Sequence, residues 1–101
     1  MCGETSALNL NFTPSARSDL AGIHRYIAAE SDRIADNVVS RLRESIETLR
    51  VLPMAGRPGR VEGTREWSVP SLPYFVVYVL TSETDLDVLA IIHERRDYPY
   101  R

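Results

Sequence analysis

The chain has 101 residues, 44% of them apolar and 26% charged, with a formal net charge of −2. These values describe one ordinary globular domain and exclude a disordered tail; no apolar run approaches the roughly 18 residues needed to span a bilayer. All 12 basic residues are arginine, so no lysine base is available. The near-neutral balance also argues against a protein whose main affinity is for phosphate backbone.

The N-terminal stretch Met1–Ser6 has no basic region and no long apolar run. It is expected to be a disordered leader (residues 1–6) rather than a signal peptide, ahead of a single domain over residues 7–101, and a cytoplasmic location follows as the default. The single cysteine, Cys2, lies in that leader, without a partner for a disulfide or a metal site. Residues 7–12 alternate apolar and polar side chains, the period of a half-buried strand. Thr13-Pro14 is a helix start, with Thr13 as N-cap and Pro14 at the first helical position. Ala16, Leu20, Ile23 and Ile27 then recur at helical spacing, so a first helix runs to about Ala29. Ser31-Asp32 breaks the chain and caps a second helix, whose stripe is Ile34, Val38, Leu42, Ile46 and Leu49. It stops before Pro53, and the two helices form an antiparallel hairpin.

Residues 53–64 hold three glycines and two prolines, a composition that excludes regular structure and marks a long functional connection. Arg65–Val69 is a candidate strand. Tyr74–Leu80 is a strand rich in Val, Tyr and Phe, and Leu86–Ile92 returns antiparallel after a polar turn. The order β-α-α-β-β-β implies an α+β fold: an antiparallel sheet with a helical hairpin packed on one face. The last two strands are apolar at nearly every position, so the face away from the helices is expected to seek a partner. The core is expected at Leu20, Ile23, Ile27, Val38, Leu42, Ile46, Leu49, Val77, Leu89 and Ile91.

The two histidines, His24 and His93, have no neighbouring ligand at a zinc spacing, so neither a metal nor another cofactor is expected. No serine sits in a nucleophile elbow, and no phosphate-cradling P-loop is present. What remains is His93, Arg95, Arg96, Tyr98 and Tyr100, with Arg57 and Arg60 in the loop and Arg65 on a neighbouring strand. Such a set can do two jobs. A His or Tyr moving protons beside arginines that hold a phosphodiester could cleave RNA without metal. Arginine and tyrosine are equally the residue types enriched at protein–protein hot spots, and Glu94 and Asp97 temper the positive charge. His93 shares strand parity with Leu89 and Ile91, so it can also be a satisfied histidine at the edge of the core.

Phe12-Thr13-Pro14 with Ala16, Asp19-Leu20, Ile23 and Tyr26-Ile27 resembles the opening of the ParE/RelE superfamily of toxins from type II toxin–antitoxin modules. The likeness continues through Pro53, Gly56-Arg57, Arg65, Pro73-Tyr74, Val76, Tyr78, His93, Arg96-Asp97 and Pro99. The resemblance implies a small cytoplasmic toxin that forms a hetero-oligomer with a cognate antitoxin, ParD-like or another small DNA-binding protein. RelE-like members are ribosome-dependent mRNA endoribonucleases, metal-independent and basic, with lysines at work and an arginine within the central strand. Here Phe75 stands at that place and lysine is absent, so the resemblance favours ParE-like members, which inhibit DNA gyrase by protein–protein contact. On that reading no catalytic residue is required. Arg57, Arg60, Arg65, Tyr74, Arg95, Arg96 and Tyr98 contact target or antitoxin. On the ribonuclease alternative, Arg65, His93, Arg96 and Tyr98 carry the chemistry.

Overall fold

The computed structural model describes residues 7–95. The leader, the expected contact residues Arg96 and Tyr98, and Tyr100 of the terminal cluster lie outside the described residues. The chain runs β1 (Asn9–Phe12), α1 (Pro14–Ala28), α2 (Asp32–Glu47), a 3-10 turn (Thr48–Arg50), β2 (Arg57–Pro58), β3 (Arg65–Ser68), β4 (Tyr74–Leu80) and β5 (Asp85–His93).

Both helix starts form as their residues dictate. The Thr13 hydroxyl oxygen accepts from the Ala16 N–H at 3.2 Å, while its O–H donates to the Val88 carbonyl at 2.8 Å. One side chain therefore caps α1 and ties the end of β1 to β5. Ser31 caps α2 through the Ile34 N–H at 3.2 Å. With only three residues between them, the helices fold back on each other, and His24 Nε2 meets Asp36 Oδ1 across the hairpin at 2.8 Å.

The sheet order is β1-β5-β4-β3-β2. The last strands pair antiparallel as expected, but β1 lies parallel to β5, with Leu10 beside Leu86 and Phe12 beside Val88. The sheet is therefore mixed rather than wholly antiparallel. No turn joins β1 to β5; the helical hairpin and β2–β4 intervene, and so long a connection permits parallel pairing. The glycine- and proline-rich segment also contributes a two-residue strand, Arg57 opposite Glu66 and Pro58 opposite Arg65. Its edge position tolerates proline, which has no N–H to donate to a ladder.

The main core lies between the sheet and the hairpin. Leu20, Leu42, Ile46, Leu49, Val76, Tyr78, Leu86, Val88 and Ile91 are buried there, with Ile23 and Val38 packed half-buried against them. Ile34, expected in the α2 stripe, is exposed, and the neighbouring Ala35 takes the buried position in the first turn instead. The central pair of strands carries a bulge: Val77 faces Ala90, but Tyr78 faces Val88, leaving Leu89 unmatched. The bulge shifts parity by one, so Val88 and Ile91 both point to the helices. Leu89 turns away from the expected core and packs half-buried with Phe75, Val77 and Ile92 on the outer face. Those three outer residues are nearly fully buried already, contrary to the expectation of bare apolar surface there. Exposed apolar side chains lie instead elsewhere, among them the consecutive Val51 and Leu52 with Met54, just past the 3-10 turn.

Leu42 has 0% exposure, so Leu42→Ala is expected to destabilise the domain by about 2–5 kcal/mol. Exposed Ile34→Ala should stay within about 0.5 kcal/mol of the parent. Urea denaturation followed by circular dichroism measures both.

Candidate functional site

Tyr78 sits in the middle of β4 with no exposed surface. Its hydroxyl donates to the Pro53 carbonyl at 2.6 Å and accepts from the Gly56 N–H at 3.0 Å. A buried phenol needs such partners, and here they come from the irregular segment, which is thereby drawn onto the sheet. The approach requires a glycine: a Cβ at residue 56 would lie 2.7 Å from the Tyr78 hydroxyl and 3.0 Å from the Glu66 carbonyl oxygen. The Gly56 carbonyl in turn accepts from Arg65 Nη1 at 2.6 Å. Burial pushes the Tyr78 phenol above its ordinary pKa, with the Gly56 hydrogen bond and the Arg65 guanidinium pulling the other way.

Across the sheet from the hairpin, Glu66 is the one buried charged residue among those described, at 3% exposure. Its carboxylate accepts from the Arg60 N–H at 2.9 Å and from Arg57 Nη2 at 3.2 Å, with Arg60 Nε 3.5 Å away. Three contacts from two arginines compensate the burial, as a desolvated carboxylate requires. The Arg60 guanidinium also lies 5.3 Å from the centroid of the Phe75 ring. The outer face is thus an apolar strip (Phe75, Val77, Ile92) bordered by an arginine–glutamate cluster. Nothing in the alternation of Arg65–Ser68 announces the role of Glu66; only the register that sets it opposite Arg57 does so.

A third feature lies where β4 begins and β5 ends, on the helix side. The rings of Tyr74 and His93 meet edge-on with centroids 5.3 Å apart. They border an open groove of about 540 Å³ shared with Asp19, Gly22, Tyr26 and Ile91. Asp19 Oδ2 accepts from the Ile91 N–H at 3.0 Å, and His93 Nδ1 accepts from the Arg95 N–H at 3.1 Å. Burial, then the neighbouring Tyr26, raises the pKa of Tyr74.

The structure therefore separates the side chains that the sequence grouped together. Arg57 and Arg60 join Glu66 on the outer face, whereas Arg65 points to the helix side and binds the loop backbone. Tyr74 and His93 form their pair at the far end of the strands, with Arg95 exposed just beyond. Arg65 and His93 do not share a site. Among the described residues, no group of His, Cys, Asp and Glu could hold a metal ion, and no helix is long and apolar enough to cross a membrane.

A family description, the ParE toxin of the type II toxin–antitoxin system parDE, matches residues 10–98. The chain belongs to the ParE toxin family. It is 30% identical over 94 residues to a Sinorhizobium fredii protein named "Putative toxin Y4kP", covering 93% of this chain and 96% of that one. A chromosomal ParDE toxin–antitoxin system from P. aeruginosa contains a chain of similar fold, with TM-score 0.79 and 23% identity over 88% of this chain and 98% of that one. The RelBE2 toxin–antitoxin complex from Mycobacterium tuberculosis contains another, with TM-score 0.61 and 24% identity over 89% and 94%. Both neighbours share the α+β architecture and establish the fold; the family assignment rests on the sequence match.

In this ParE-family chain, Tyr78→Phe leaves the Gly56 N–H and the Pro53 carbonyl without their partner. A loss of about 1–3 kcal/mol is expected, read from the urea midpoint. Raised phenol pKa values at Tyr74 and Tyr78 mean that the fold favours the neutral forms. Their contribution is complete below the unfolded value of about 10 and is lost as pH rises through the folded values. Stability should accordingly fall above about pH 10, and less steeply in Tyr78→Phe than in the parent.

Proposed function

We propose that this ParE-family toxin acts on DNA gyrase by protein–protein contact, without catalytic residues of its own. On this reading it arrests growth in the cytoplasm, serves as a plasmid- or replicon-stabilising device, and is held inactive by a cognate ParD-like antitoxin. The supporting observation is the occupancy of its arginines. A metal-free ribonuclease surface needs cations free to hold a phosphodiester and a proton-transfer pair beside them. Here Arg57 and Arg60 bind Glu66, Arg65 binds the Gly56 carbonyl, and Phe75 occupies the middle of the outer face. Arginines fixed by internal partners, with exposed apolar side chains at Val51, Leu52 and Met54 and an exposed Arg95, suit protein recognition, where apolar and arginine side chains supply the anchors. Both structural neighbours come from toxin–antitoxin systems, which supports the antitoxin as a partner.

Purified toxin in excess over gyrase is expected to abolish supercoiling of relaxed plasmid or to accumulate cleaved DNA. Arg95 is exposed and, among the described residues, lends the fold only its backbone N–H. Arg95→Glu should therefore keep the parent's melting temperature while weakening inhibition by about tenfold or more, the loss typical of an interface anchor. Normal supercoiling at excess toxin overturns the proposal, and cut mRNA on translating ribosomes would replace it with the endoribonuclease reading.

A further inference from the structure

Helix α1 gives one side to the core, where Ala16 and Leu20 are buried and Ile23 packs half-buried against the cluster. By helical spacing, Ser18, Gly22 and Tyr26 form a row on a side that the core does not use, with Asp19 and Arg25 flanking it. Gly22 sits in the middle of this helix, where glycine destabilises relative to alanine. Nothing within the chain requires it. Its φ is not positive, and a Cβ there would meet no neighbouring atom within 4 Å. The space it leaves opens into the groove bordered by Tyr26, Tyr74, Ile91 and His93.

Two tyrosines of that groove are incompletely used. Tyr26, one turn beyond Gly22, is 81% exposed, the most exposed of the large apolar side chains described. Tyr74 is only 8% exposed, yet its hydroxyl has no hydrogen-bond partner among the described residues. A phenol so buried ordinarily has one. The flanking charges are open as well. One Asp19 oxygen accepts from the Ile91 N–H. Among the described residues, neither Asp19 nor Arg25 has an opposite charge within ion-pair distance.

These groups complement themselves about Gly22. Asp19 and Arg25 stand three residues to either side of it, Ser18 and Tyr26 four. Two copies of α1 crossed antiparallel at Gly22 bring each Arg25 to the level of the other's Asp19. Each Tyr26 then comes to the level of the other's Ser18, at the mouth of its groove. We propose that the chain pairs with a second copy of itself in this way, Gly22 against Gly22, with Tyr26 of each copy filling the other's groove. The arrangement is isologous, so every contact is made twice. Helix axes pack as closely as the side chains at their crossing allow, which is the use the glycine has. One helix crossing with one filled groove belongs to the smaller interfaces, below about 1,200 Å² in total, so pairing depends on concentration. The inference does not depend on gyrase being the target.

Sedimentation equilibrium of the full chain, with reductant present to exclude a Cys2 disulfide, reads the pairing directly. The average mass should rise from 11.4 kDa towards twice that value between micromolar and near-millimolar concentration. Tyr26→Ala and Arg25→Glu should each raise the dissociation constant about tenfold or more. Gly22→Gln separates pairing from folding, because glutamine favours a helix over glycine and its Cβ has open space within the chain. That variant should be monomeric throughout. Its melting temperature should hold or rise, compared at a concentration where the parent is also monomeric. A mass that stays at the monomer value for the parent overturns the proposal. Pairing that survives Gly22→Gln, or that ignores both Tyr26→Ala and Arg25→Glu, assigns the contact to another surface and overturns it too. A melting temperature lowered by Gly22→Gln would show that the glycine serves the single chain, with the same consequence.

Discussion

The hydroxyl of Tyr78 is the contact on which the rest of the outer architecture depends. A phenol at the centre of the middle strand cannot reach water, so it must find both a donor and an acceptor inside the protein. They are supplied by the Gly56 N–H and the Pro53 carbonyl. That brings an otherwise irregular segment to a fixed place and makes residue 56 a position where any Cβ collides with the ring or with the Glu66 backbone. Once Gly56 is held, its carbonyl orients Arg65, and the next residues enter the sheet as β2. Pairing of Arg57 with Glu66 follows, and Arg60 closes over the same carboxylate. The charge pattern of the outer face is thus inherited from one hydrogen-bonded group on the helix side.

This dependence explains why a chain with arginine as its only cation presents so few available cations near its central strands. Arginine offers a planar fork that suits a carboxylate or a carbonyl, and three of the candidate contact residues use it internally. An ion pair that closes over a buried carboxylate is held in place: withdrawing either arginine to bind a ligand would leave Glu66 desolvated and undercompensated. Arg57 and Arg60 are therefore better suited to presenting a fixed surface than to following a substrate through a reaction. Arg95, Arg17 and Arg43 carry no such obligation among the described residues, and they lie at separate edges of the molecule.

The elements legible in the sequence were those whose cause is local. Thr13 and Ser31 cap helices because their side chains reach N–H groups three residues on, and β4 was readable from its density of β-branched and aromatic residues. The α+β layout followed from the order of these elements. What escaped was set by distant pairing. The parallel contact of β1 with β5 joins residues about 76 apart along the chain. The bulge at Leu89 leaves no mark on an unbroken apolar run, so the parity that put Leu89 with Ile91 failed across it. For the candidate site, the residue types were readable but their grouping was not. Arg65 and His93 lie on strands that flank β4 on opposite sides, beside Tyr78 and Tyr74 respectively, and Glu66 acquires its role only through the register of β2 and β3.

The same scaffold at 23% identity to the P. aeruginosa chain shows how little of it depends on particular side chains. The edges are where the sequence still has choices, and β1 shows one of them. An unpaired strand edge invites uncontrolled association, and proteins commonly shorten it or cover it. Here β1 is four residues long and its first outward position is closed by Arg50. The next two positions are left open beside Arg17 and Arg43, so an edge that is mostly protected against indiscriminate pairing keeps a gap of defined length and charge.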